Sequence, residues 1–266
     1  MMAIGYQSLV REVSEEMQRY FVESNQIIND KIEIFGDDAK HINKVMRYQQ
    51  GDKVICSDNL GRSYIAEILS IYTKQVILRI VEEEISNNEP TVHITLYQGL
   101  TKADKMEWII QKGTEIGISS FVPVEMKYSI TKWESDRSNK KIERWRKIAK
   151  EAAEQSQRRK IPDIHNAYKF KALIDNITSK HSLTMLAYEK SEHSQGILAL
   201  MNQHANYNNF GLIIGPEGGV SDEERNIAIE KGVKLINLGP RILRAETAGL
   251  VAASGILFFH QQLGES

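Results

Sequence analysis

Leu212-Ile213-Ile214-Gly215-Pro216-Glu217-Gly218-Gly219-Val220-Ser221-Asp222-Glu223-Glu224 reads as a short apolar strand, a glycine-rich turn and the start of a helix. Ser221 and Glu224 have the spacing of a capping box, in which each side chain satisfies a free N–H of the first helical turn. A strand, a glycine turn and a helix N-terminus make one βα unit and let backbone N–H groups approach a ligand closely. An ordinary tight βα turn has the same pattern. No lysine follows the glycines and G-x-G-x-x-G does not occur, so neither a P-loop nor a dinucleotide fingerprint is present.

Outward from this unit, strands and helices alternate. Val92–Tyr97 reads as a strand, Ala103–Ile116 as an amphipathic helix ending at Gly117, and Phe121–Val124 as a strand. A long charged helix covers about Asn139 to Arg158 and stops before Pro162. Strand Leu183–Tyr188, helix Gly196–His204, strand Gly211–Ile214, helix Asp222–Lys231, strand Leu235–Leu238 and a helix to about Gln262 complete the series. Such alternation predicts an α/β domain with a largely parallel sheet. Ligands in these sheets bind beyond the carboxyl ends of the strands, which directs attention to the loops after Leu186, Ile214 and Leu238. In Leu238-Gly239-Pro240-Arg241-Ile242-Leu243-Arg244-Ala245-Glu246-Thr247-Ala248, two apolar residues interrupt a loop of Gly, Pro and charge. Ile242 and Leu243 could wall a flat ligand such as an adenine while the backbone reads its edge. The alternative is a polar connection with an Arg244–Glu246 ion pair, leading into a core helix of small residues.

Upstream of Pro90 the texture is β. Met17–Val22, Lys31–Phe35, Val54–Cys56, Ser63–Leu69 and Val76–Val81 read as strands, with one helix from about Asp38 to Arg47 and a turn at Asp58-Asn59-Leu60-Gly61-Arg62. Short strands around one helix suggest a small barrel. The polar stretch Ser86-Asn87-Asn88-Glu89-Pro90 is the best boundary. The expected division is therefore 1–16, an N-terminal extension outside the fold; 17–88, a β-barrel domain; and 89–266, the α/β domain.

Of 266 residues, 41% are apolar and 26% charged, as in ordinary soluble globular proteins, which excludes disorder, collagen and coiled coils. A single cysteine, Cys56, excludes an intramolecular disulfide and a multi-cysteine zinc site, and no metal is expected. The longest apolar run, Ala248 to Phe259, is too short to span a bilayer, and no secretory signal is visible, so a cytoplasmic location is expected. The formal charge of −1 hides a local excess. Between Arg137 and Lys160, ten basic residues (Arg137, Lys140, Lys141, Arg144, Arg146, Lys147, Lys150, Arg158, Arg159 and Lys160) stand against three acids, Glu143, Glu151 and Glu154. A solvated helix face mixes its signs more evenly, so this run looks like a phosphate-contacting surface. Weaker basic points are Arg19, Lys44 and Arg47, Arg62 on its hairpin, and Lys102, Lys105 and Lys112 around the first α/β helix. His41 and Lys44 share a helix face by spacing, and His41 is read equally well as a plain surface histidine.

Six ordered motifs carry a resemblance: Met17-Gln18-Arg19-Tyr20-Phe21, His41-Ile42-Asn43-Lys44-Val45-Met46-Arg47, Gln111-Lys112-Gly113-Thr114-Glu115-Ile116-Gly117, Glu151-Ala152-Ala153-Glu154-Gln155-Ser156, Ile214–Gly219 and Leu238–Ala248. From about Met17 to Gly264 the chain resembles the RsmE family, bacterial methyltransferases acting on N3 of one uridine in 16S ribosomal RNA. The resemblance implies a PUA-like β-barrel followed by a SPOUT α/β domain with a C-terminal trefoil knot. It implies S-adenosylmethionine as methyl donor, a homodimer, and 16S rRNA or the 30S subunit as partner. Carried over by motif, Leu186, Gly215, Pro216, Glu217, Gly218, Leu238, Gly239, Ile242, Leu243, Arg244 and Ala248 form the cofactor site. Arg19, His41, Lys44, Arg47, Arg62, Lys102, Lys105, Lys112, Arg144, Arg158 and Arg159 are the RNA-binding candidates. The chain departs from the family twice: Ala245-Glu246-Thr247 replaces the usual Thr-Glu-Thr, and Gln157 stands where glycine is common before the arginine.

Arg244 and Glu246 are the catalytic candidates. A guanidinium stays protonated, so Arg244 cannot serve as the base but can stabilise negative charge developing on uracil oxygens. Glu246 could hold Arg244 or accept the N3 proton. Two other readings are a SPOUT methyltransferase acting on transfer RNA and a non-catalytic ribosome-assembly factor that binds RNA on the same scaffold.

Overall fold

The computed structural model describes residues 17–85, 88–133, 135–189 and 194–264. The segment 1–16, expected to stand outside the fold, lies outside the described residues. The chain divides into two compact units. One takes in the described residues up to Glu89 together with Ala153–Ile161; the other takes in Pro90–Ala152 and the chain from Pro162 onward.

In the first unit β1 (Arg19–Phe21), β2 (Ile27–Ile28), β3 (Lys31–Phe35), β4 (Lys53–Ser57), β5 (Ser63–Ile71) and β6 (Gln75–Glu83) form one sheet in the order β1-β4-β5-β6-β3-β2. Pairing is antiparallel except between β1 and β4. Strand alternation sends Val54 and Cys56 into a core with Tyr20, Ile32, Ile34, Ile68 and Leu78, while Ile55 joins Met17 and Ile65 on the other side. Two register shifts along β5 against β6, at Ile65/Ala66 and Ile68/Ser70, accompany the curl of this half-barrel. The β4–β5 turn is held by Asp58, whose Oδ1 accepts from the backbone N–H of Leu60 at 2.8 Å and of Arg62 at 3.0 Å.

The helix expected over Asp38–Arg47 is α1 (Gly36–Lys40), which widens into a π-helical turn at His41–Val45. Arg47, at φ 56°, follows in the left-handed region and ends it. Ile42 is buried here, so the apolar face rather than the basic one sets the turn's orientation.

The second unit carries β7 (His93–Gly99), β8 (Ser120–Glu125), β9 (Asp163–Ile164), β10 (Tyr168–Lys169), β11 (Leu183–Ala187), β12 (Gln195–Gly196), β13 (Asn209–Ile214) and β14 (Lys234–Asn237). The sheet is parallel throughout, in the order β10-β8-β7-β13-β11-β14-β12, with β9 beside β8. Its inner strands are largely buried because helices cover both faces; most of their residues are apolar, with Thr95, Gln98 and Thr184 among the buried polar exceptions. α2 (Ala103–Ile116) and α5 (Ile197–Gln203) pack against α7 (Ala245–Phe259), while α4 (Phe170–Ile177) packs against α6 (Asp222–Glu230). The second pair covers a core of Val122, Val124, Leu173, Ile174, Ile213 and Ala228. α2 ends at Gly117, whose φ of 116° only glycine adopts readily. α3 (Ser135–Gln155) buries Ile142, Trp145, Ala149 and Ala152 at helical spacing and leaves Lys140, Arg144, Arg146 and Lys147 exposed. No described helix is long and apolar enough to cross a membrane.

Candidate functional site

The three loops singled out from the sequence meet at the carboxyl ends of β11, β13 and β14 and line one cleft of about 600 Å³. That volume lies within the usual range for a small-molecule site. The capping box on α6 has formed: Ser221 Oγ accepts from the Glu224 N–H, and Glu224 Oε2 accepts from the Ser221 N–H. It anchors the helix start next to the Gly215–Gly219 turn. Gly215, Pro216, Glu217, Gly218, Leu238, Gly239, Ile242, Leu243, Arg244 and Ala248 all line the cleft. Leu186 does not: its side chain is fully buried in the sheet between Ile213 and Leu235, and its successors Ala187, Tyr188 and Glu189 form that wall.

Two positions that the sequence reading passed over shape the cleft. A Cβ on Gly218 would sit 2.7 Å from Tyr128 Cβ, so this glycine lets the turn lie against the loop that follows β8. Tyr128 is about half exposed at the cleft wall. Applying the carboxyl-end rule to the strand ending near Val124 points to this loop. Gly99, at the end of β7, likewise admits the Gly215–Pro216 turn: a Cβ there would meet Pro216 Cδ at 2.6 Å.

Charge in the cleft is organised around Lys105, from the first turn of α2. Its Nζ lies 3.3 Å from Glu217 Oε1 and 3.2 Å from Glu246 Oε2. Glu217 Oε1 also accepts from the Lys102 N–H at 3.4 Å, while Glu217 Oε2 and Glu246 Oε2 are buried and accept no hydrogen bond, so Lys105 meets Glu246 as an ion pair only. Burial would raise the Glu246 carboxyl. Its own backbone N–H at the helix start, Lys105 and Arg244 outweigh that and hold it below the usual carboxylate range. Arg244 Nη1 is 3.9 Å from Glu246 Oε1, and its side chain is 81% exposed. The nearer cation to Glu246 is therefore Lys105, and Arg244 is left open to solvent.

Of the RNA-binding candidates, Lys44, Arg47 and Lys102 are exposed. Arg62, Lys112 and Arg144 are partly or largely exposed but engaged, with Asp58 at 2.8 Å, Glu115 at 2.8 Å and Glu107 at 2.7 Å. His41 Nδ1 lies 2.9 Å from Tyr20 Oη. Three candidates are corrected. Arg19 is 1% exposed, and its Nη2 donates to both oxygens of Glu84 at 2.9 Å. Its Nη1 donates to Ser57 Oγ at 2.6 Å and Ser63 Oγ at 3.0 Å, and its Nε to Gln157 Oε1 at 3.1 Å. Arg158, 4% exposed, pairs with Glu89 at 2.8 Å. Arg159, 9% exposed, donates to the Glu84 carbonyl and faces its carboxylate at 3.6 Å. A buried guanidinium needs its charge matched, and Glu84 and Glu89 supply that match, although Arg159 Nε is left without a hydrogen-bond partner; none of the three is a free phosphate contact. The departure at Gln157 fits the same network: its φ of 58° explains why glycine is common there, and its side chain compensates by bonding Arg19 and the Met17 carbonyl.

Two families describe the two parts of this chain, the parallel α/β sheet with its loop-built cleft and the curled β-sheet unit, and together they make it an RNA methyltransferase with a PUA-like domain. Models of these two families, an RNA methyltransferase domain and an RNA methyltransferase PUA domain, match residues 87–257 and 36–81. The ribosomal RNA small subunit methyltransferase E of Bacillus subtilis is 37% identical, over 91% of this chain and 96% of the relative. That of Synechocystis is 32% identical, over 90% and 76%. The crystal structure of a ribosomal RNA small subunit methyltransferase E from Neisseria gonorrhoeae bound to S-adenosyl methionine superposes with a TM-score of 0.82 at 25% identity, covering 91% of this chain and 98% of that one. The chain belongs to the ribosomal RNA small subunit methyltransferase E family and is a methyltransferase.

Proposed function

We propose that this protein transfers a methyl group from S-adenosylmethionine to N3 of one uridine in 16S ribosomal RNA, acting in the cytoplasm on the small ribosomal subunit. The observation that carries the reading is the convergence of three loops, 26 and 19 positions apart in the chain, on one cleft at the carboxyl edge of the sheet. The cleft fits such a donor on its own chemistry. Ile242 and Leu243 supply apolar walls, the loop backbones supply donors and acceptors, and the unsatisfied Glu217 Oε2 offers an acceptor to the donor's hydroxyl or ammonium groups.

When bound, S-adenosylmethionine supplies an electrophilic methyl group on a sulfonium. The protein's part is alignment, which the rigid loops at the sheet edge provide. Arg244, exposed at the cleft, is placed to meet the uracil and stabilise negative charge on its oxygens as N3 loses its proton. Glu246, bound to Lys105 and held below the usual carboxylate range, is a poor proton acceptor. Its role in this reading is to anchor the loop. RNA is engaged by Lys44 and Arg47 of the first unit and by the exposed cations of α3, with Arg144 among them. Val251 and Phe258, seven residues apart on α7 and exposed, supply an apolar stripe for the homodimer.

The test maps modified uridines in 16S rRNA from a strain lacking the gene, by mass spectrometry, with purified protein and donor added back. Loss and restoration of a single 3-methyluridine is the expected result. A fully modified 16S rRNA in the deletion strain, or a lost methyl group in transfer RNA, refutes it.

A further inference from the structure

Lys105 was expected among the RNA-binding cations, yet its ammonium group points at two carboxylates of the cleft. It reaches Glu217 in the turn after β13 at 3.3 Å and Glu246 in the first turn of α7 at 3.2 Å. It is the shared cation of two loops that no strand pairing joins, and its side chain is 23% exposed, against 55% for Lys127, which lies 3.8 Å from Glu223. Without it, Glu217 and Glu246, 20% and 17% exposed, would face each other with Arg244 at 3.9 Å as the nearest other cation to Glu246. Two like charges this close and half-dry repel, and the loops that carry them would move apart. That movement displaces the buried acceptors Glu217 Oε2 and Glu246 Oε2.

We infer that Lys105 is a positioning residue for the methyl donor: it clamps Glu217 and Glu246 together, so that the two loops keep the shape that binds S-adenosylmethionine. The inference rests on the cofactor reading above and adds a residue to it. The groups that set the charge at this point are Lys105 of α2, Glu217 of the β13–α6 turn, and Glu246 with Arg244 of the last loop and helix.

The test is calorimetric binding of S-adenosylmethionine, and of the demethylated product S-adenosylhomocysteine, to the full chain and to Lys105→Met and Lys105→Arg, from pH 5 to 8. The wild type should bind with affinity constant over the upper part of that range. Lys105→Met should bind about tenfold or more weakly at pH 7, and its affinity should start to fall at a higher pH because Glu246 loses the cation that holds its carboxyl low. Lys105→Arg should recover most of the loss. A thermal melt accompanies each variant. Should Lys105→Met not fold, the comparison is made on the Glu217→Gln background, which removes one of the two repelling charges: adding Lys105→Met there should change donor affinity less than about threefold, and a loss of about tenfold overturns the inference. Unchanged donor affinity and pH profile in Lys105→Met overturns the inference. So does a loss of RNA affinity and salt dependence with donor binding intact, which would restore the RNA-contact role. A wild type that binds neither ligand would refute the cofactor reading itself, a distinct outcome.

Discussion

Replacing Arg19 by Met removes five hydrogen bonds at once, and the structure sets the cost. The guanidinium is 1% exposed and its main partner Glu84 is 5% exposed. Taking one partner from a buried ion pair costs about 3–5 kcal/mol, because the other charge stays in a dry site. Here Arg159 Nη2 remains 3.6 Å from Glu84 Oε2, so the carboxylate is not fully abandoned and the loss belongs near 3 kcal/mol. Glu84→Ala is the harsher change. It leaves Arg19 and Arg159 facing each other without their shared carboxylate, and about 5 kcal/mol is expected. Arg19→Lys keeps the charge but loses the fork to Glu84 and should fall between wild type and Arg19→Met. The assay is urea unfolding followed by two probes, with thermal melts in parallel; for a unit of this size each kcal/mol moves Tm by about 4–8 °C. The salt dependence of RNA binding, measured on the folded variants, should stay as in the wild type. If Arg19→Met costs less than about 1 kcal/mol and reduces the salt slope by about one, Arg19 is a phosphate contact and the burial argument fails.

Four further outcomes follow from other parts of the molecule. Arg244→Ala should cut turnover by about 100-fold or more, the usual scale for losing a charge-stabilising donor, with donor affinity nearly unchanged; equal losses in single-turnover rate and calorimetry would refute its role. Gly218→Val would drive a side chain into Tyr128 and should weaken donor binding at least tenfold, whereas wild-type affinity would show that the turn yields. Neutralising Lys140, Arg144 and Lys147 together should weaken binding to 30S particles and flatten its salt dependence; insensitivity to salt would remove α3 from the interface. For Asp58, burial acts to raise the carboxyl, but the N–H groups of Leu60 and Arg62 and the Arg62 guanidinium hold it below its ordinary value. Its stabilisation of the turn is therefore complete above the ordinary carboxylate pKa and lost as pH falls through the depressed one. Asp58→Asn should abolish that part of the acid sensitivity, read from Tm against pH.

Local chemistry was legible wherever it closes within a few residues. The Ser221–Glu224 capping box, the Asp58 turn and the Gly117 helix end all read from short spacings, because each interaction lies within about four positions. The alternation of strands and helices gave the parallel sheet and the carboxyl-end rule gave the three loops; of the eleven cofactor candidates carried over by motif, ten line the cleft. Leu186 stays behind the cleft wall, one residue short of Ala187, because the end of a buried strand and the start of its loop look alike in one dimension. The basic run from Arg137 to Lys160 shows the other limit. Its charge count was correct, but Arg158 and Arg159 lie in the segment Ala153–Ile161 that joins the first unit and meet Glu89 and Glu84 there.

What the sequence determined by itself was therefore the set of elements, the family, and the loops where chemistry is done, all of which rest on local pattern and on motif order. Only the tertiary structure decided which cations are free. Arg19 and Arg159 converge on Glu84, and Lys105 joins Glu217 to Glu246, over separations of 65, 75, 112 and 141 residues that can be read from the numbering only once the partners are known. The physical reason is that a charge takes its role from its solvation and its nearest opposite charge, and folding sets both.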